Sequence, residues 1–142
     1  MIYREDVLHD VASMAYVAAD IREGKLTPHA LHQTFDICEG GNLDRVIRMM
    51  DIAEAELRSV MREFNITLPD SGEEKEGYAV LVRMYAHEYV VARILADWLS
   101  VTLPESAGVW QEKAADALSR FRLTVETRVC RAAILSRRLP PF

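Results

Sequence analysis

Few residues of this chain combine the type and spacing that chemistry needs. His29, His32 and Asp36 fall at i, i+3 and i+7, a spacing that brings three metal-type ligands to one helical face. No fourth ligand or supporting acceptor is identifiable, so a solvated face opposite Leu31 and Phe35 is the reading. A metal-dependent helical enzyme is the alternative, and no cofactor is assigned. His87-Glu88 begins like a zincin helix, but residue 91 is Val, so the second histidine of H-E-x-x-H is missing. A di-iron bundle would need Glu-x-x-His on two helices, and Asp6 to His9 is one copy with the wrong acid. G-x-S-x-G, Walker A and G-x-G-x-x-G are absent, and Glu39-Gly40-Gly41-Asn42 reads as a joint between helices. Cys38 and Cys130 form no CxxC pair and take apolar helical positions, as inert core thiols do. No catalytic residue is assigned and no enzyme is expected.

Charge placement says more. Residues 1–110 hold 10 basic and 19 acidic groups, whereas residues 111–142 hold 7 basic and 3 acidic. Arg128, Arg131, Arg137 and Arg138 dominate the C-terminal end and are the candidate partner-binding residues. A basic end on an acidic body can dock on the acidic part of an identical subunit, or can bind nucleic acid. It can also simply complement a helix C-terminus. The pI near 5.4 and the lack of interleaved aromatics disfavour nucleic acid.

The elements that must carry these groups read as helices. Val7, Val11, Met14, Ala18 and Ile21 form one stripe over residues 4–23, ended by Gly24. Thr27-Pro28 opens a short second helix with Leu31, Phe35 and Cys38 on one side. Asn42 is the expected cap of a third, whose stripe runs through Leu43, Val46, Ile47, Met50, Ala53, Leu57, Val60, Met61 and Phe64. After the loop 65–72, Ser71 with Glu74 suggests a capping box and a fourth helix reaching about residue 100. Thr102 with Glu105 suggests another, opening a fifth helix to about residue 135 that folds back antiparallel on the fourth. Residues 139–142 form an extended tail, because two prolines follow Leu139. The expected class is all-α, a single-domain bundle of about five helices over residues 1–142 with a long central helix and a C-terminal hairpin.

That central helix is nearly all apolar from Tyr78 to Leu103. Arg83, His87, Glu88, Arg93 and Asp97 lie inside it, at a cost of ~2.5–3.5 kcal/mol each in a bilayer, so no membrane span is expected. With Arg83 at zero and ~100° per residue, His87, Arg93 and Asp97 share its stripe, and the rest of the girth should be covered by neighbours or another subunit. Glu88 falls on the apolar side among Leu81, Met84, Ala92 and Leu95, and is expected to be buried and either paired, hydrogen-bonded or protonated. A bridge to Arg128 is disfavoured by register, which sets Glu88 beside Ala114 or Ala115 and Arg128 nearer Tyr78.

With 142 residues, half of them hydrophobic, and a net charge of −5, the chain has the composition of one folded domain. The first ten residues carry three acids and no basic run, so a secretory signal is not expected and a cytoplasmic setting is.

Two stretches, NLDRVIRMMDIAEAELRSV and YAVLVRMYAHEYVVARILADWL, are separated by the polar loop TLPDSGEEKEG. Over residues 42–98 this pattern resembles the small α-helical head–tail connector (head-completion) proteins of tailed phages and prophages. The resemblance implies a non-enzymatic structural subunit without cofactor. Copies of it would form a ring between portal and tail, with portal or tail components as partners and the virion as its place. The 25 N-terminal residues and the long basic fifth helix depart from that compact pattern. A regulatory helical protein using the arginine-rich end on nucleic acid or a protein is the alternative, and the metal-dependent enzyme is the second.

Overall fold

The computed structural model describes residues 2–22, 41–65 and 77–138, with side chains described for 2–15, 41–65 and 77–128. Every element among them is a helix: α1 (Arg4–Arg22), α2 (Asn42–Glu63), α3 (Gly77–Thr102) and α4 (Pro104–Arg138). The all-α expectation holds, with four helices among the described residues. The expected short helix after Thr27-Pro28 and the cap at Ser71 lie outside the described residues.

α3 is central because it is apolar on most of its girth, and α1, α2 and α4 all pack against it. Its alanines at 79, 86, 92 and 96 are buried, as are Ala107, Ala114 and Ala117 of α4. Small side chains on both partners let the two long helices lie close. Phe121, Ile94, Leu95 and Leu99 supply the bulk of the hairpin core, and none of them is solvent-accessible. α1 adds Val7, Val11 and Ala15, while Met14, expected in that stripe, is exposed. α2 buries the stripe expected of it, from Val46 to Met61.

The helix ends differ in detail from the sequence reading. Gly41, not Asn42, precedes α2, and no side chain caps it. Phe64 and Asn65 close α2 through backbone bonds to Met61 and Arg62, with Asn65 at φ 54°. Asparagine tolerates that left-handed conformation better than most residues, so it ends the helix cleanly. Thr102 does not cap α4 either. It is the last residue of α3, and its Oγ1 donates back to the Trp98 carbonyl at 3.0 Å. A threonine hydroxyl four residues on reaches that carbonyl without leaving the helix, and this competes with capping. Leu103 alone joins the two helices, with Pro104 at the first position of α4, where a missing N–H costs nothing.

The antiparallel register matches expectation: the Arg128 guanidinium lies 5.3 Å from the centre of the Tyr78 ring. No helix among the described residues is long and apolar enough to cross a membrane.

Candidate functional site

The polar stripe of α3 is spent on holding the other helices. His87 Nε2 lies 2.7 Å from Asp10 Oδ2 of α1, and Arg83 reaches the Tyr3 hydroxyl at 3.5 Å. One face further round, Tyr89 donates to Glu56 of α2, while Arg93 bonds Asp97 at 3.1 Å and lies 3.4 Å from Glu56. Burial first, and then the bond to Glu56, raise the Tyr89 hydroxyl above its ordinary value, so it stays a donor. For Arg93, burial pulls down but the carboxylates of Asp97 and Glu56 prevail, and the guanidinium remains charged. These ties account for the stripe structurally.

Among the described residues the buried acid is Glu54 on α2, 5% exposed, not Glu88. Arg4 Nε donates to Glu54 Oε1 at 3.0 Å, and Arg58 Nη2 lies 3.4 Å from Oε2. Hydrogen bonding to Asp51 at 2.6 Å, against some desolvation, raises Arg4 further above its already high value. Glu54 sits between Met50 and Leu57 on the apolar stripe, and that spacing was the signal available in the sequence.

Glu88 is exposed, which corrects the expectation of burial. Its apolar neighbours Leu81 and Met84 are 42% and 43% exposed, whereas Leu95 and Leu99 further along α3 are buried. The helical wheel places these residues on one side correctly, but the packed helices cover only the later part of that side. Glu88 has no ion pair or hydrogen bond among the described residues.

Glu88 instead lines a groove of about 340 Å³ between α1 and α4, floored by α3. Val91, Ala92 and Ala117 form its apolar base, with Met14 on one wall and Trp110 on the other. Asp10, Glu88 and Asp116 set carboxylates around it. The His87 ring is held by Asp10, and Lys113 Nζ lies over the Trp110 ring at 4.3 Å. The lining includes no serine, threonine or cysteine. Such a groove suits an apolar segment that carries positive charge.

A second cavity, of about 590 Å³, opens further along the hairpin between Gly77, Tyr78 and Leu81 of α3 and Leu123, Thr124, Thr127 and Arg128 of α4. Arg128 is thus the one candidate partner-binding arginine whose side chain is placed. Arg131, Arg137 and Arg138 continue the α4 backbone, their side chains outside the described ones. His29, His32, Asp36 and Cys38 lie outside the described residues, as does the Cys130 side chain. Among the described residues no three His, Cys, Asp or Glu side chains gather as metal ligands. Comparison with protein-family models, with curated proteins and with solved structures finds no match to the chain.

Proposed function

We propose that this chain is a non-enzymatic assembly subunit of the head–tail connector kind, which works by docking on other protein subunits. The observation that carries the reading is the groove between α1 and α4, apolar at its base and acidic at its rim. The resemblance of residues 42–98 to that phage family supports it, as does the contrast between an acidic body and an arginine-rich end. In this reading the protein is made in the cytoplasm and ends in the virion, with itself and a portal or tail component as partners.

Light scattering of the untagged protein over a concentration series, together with co-purification against a portal or tail protein, tests the proposal. The mass is expected to rise with concentration at low salt and less at high salt, since contacts between exposed charges are screened. A monomer at every concentration that also retains neither partner contradicts it.

A further inference from the structure

One wall of the groove and the arginine run belong to the same helix, and that fact limits what each can meet. α4 is continuous from Pro104 to Arg138. Asp116, on the groove wall, precedes Arg131 by ~22 Å and Arg138 by ~33 Å at 1.5 Å per residue. A helix cannot fold back over its own wall, so the arginine-bearing end of a chain cannot fill that chain's own groove. We infer that the groove receives the α4 end of a second copy of this chain, residues 131–138, in a head-to-tail contact.

The chemistry of the two surfaces matches. The groove offers Met14, Val91 and Ala92 to apolar contact, and Glu88 has no partner among the described residues. Asp116 is shared with only one surface arginine, Arg120, at 3.1 Å. Residues 131–138 hold three arginines and no acid, interleaved with Ala132, Ala133, Ile134 and Leu135. A segment that carries apolar residues and arginines complements an apolar groove lined by Asp10, Glu88 and Asp116 against the single lysine Lys113, since each guanidinium offers paired donors to a carboxylate. The contact joins two different surfaces, so each subunit keeps one groove and one end free for the next, and copies propagate into a ring or an open filament.

This inference rests on the assembly-subunit reading, and the test separates the two. One variant neutralises the groove, Glu88→Gln with Asp116→Asn; the other neutralises the end, Arg131→Gln with Arg138→Gln. Circular dichroism melting checks that both remain folded, and sedimentation velocity reads association. Each variant alone should self-associate at least roughly tenfold more weakly than the parent. Mixed together, they should form a 1:1 pair that grows no further, because one supplies the groove and the other the end. Parent-like assembly by either variant overturns the inference and leaves the assembly reading standing. So does a parent that binds a portal or tail protein yet stays monomeric. Loss of DNA binding by the end variant, with self-association intact, assigns the arginines to nucleic acid and overturns the inference.

Discussion

Arg4 of α1 and Glu54 of α2 meet at 3.0 Å across fifty residues of sequence, and this ion pair holds the only buried charge found among the described residues. The two partners are unequal: the Arg4 side chain is half in water, whereas Glu54 is enclosed. Removing the arginine therefore costs more than the exposed half of the pair would suggest, because a buried carboxylate is left with Arg58 alone. Arg4→Ala should destabilise the fold by about 1–2 kcal/mol in urea unfolding. Glu54→Met, which removes the buried charge, should be close to neutral or stabilising, and should cancel most of the Arg4→Ala cost in the double variant. Equal and additive losses would show that the pair is not coupled.

Phe121 is the largest side chain fully enclosed in the hairpin, while Leu123 two positions on is exposed. Phe121→Ala should cost about 3–5 kcal/mol through lost transfer energy and the cavity left behind. Leu123→Ala should stay within about 0.5 kcal/mol of the parent. Comparable losses at both sites, measured by denaturant midpoint, would contradict the hairpin register.

Tyr89 gives the fold an alkaline limit. Its hydroxyl, raised by burial and by Glu56, keeps its proton in the folded state after the unfolded chain has lost it. Stability from this group is complete below the ordinary tyrosine value of about 10 and falls as the pH rises above it. Urea midpoints taken from neutral pH to about pH 11 should drop more steeply for the parent than for Tyr89→Phe. Parallel curves would mean that the hydroxyl is not held as described.

The helices and most of their buried faces could be read from apolar spacing. The α2 stripe and the placement of Arg128 near Tyr78 follow from periodicity and a short joint, both local properties. What spacing could not supply is which part of an apolar face is covered. Glu88 and Leu95 share a side of α3, yet one is exposed and the other buried, because coverage depends on where neighbouring helices lie. Glu54 was hidden for the converse reason: a charge within an apolar stripe looks like an interruption until Arg4 is brought to it by the fold. Thr102 shows the limit of cap patterns, since the same hydroxyl can serve the turn before it. The groove joins residues from three helices, and only its His87–Glu88 floor stood out in the sequence.

Arg128 over the Tyr78 ring should contribute about 0.5–1 kcal/mol at this exposed position. Arg128→Ala should lower the unfolding free energy by that amount, and Arg128→Lys should recover part of it, since both cations are drawn to the ring face. No change in either variant would remove the stacking from the account.

Hydroxyl-radical labelling of the protein at dilute and at concentrated conditions tests the central claim, that the groove is where subunits dock. Met14 and Trp110 line the groove, and Met84 is exposed on α3 outside its lining. Oxidation of Met14 and Trp110 is expected to fall on assembly while that of Met84 holds steady. Assembly with Met14 and Trp110 still fully reactive would contradict it.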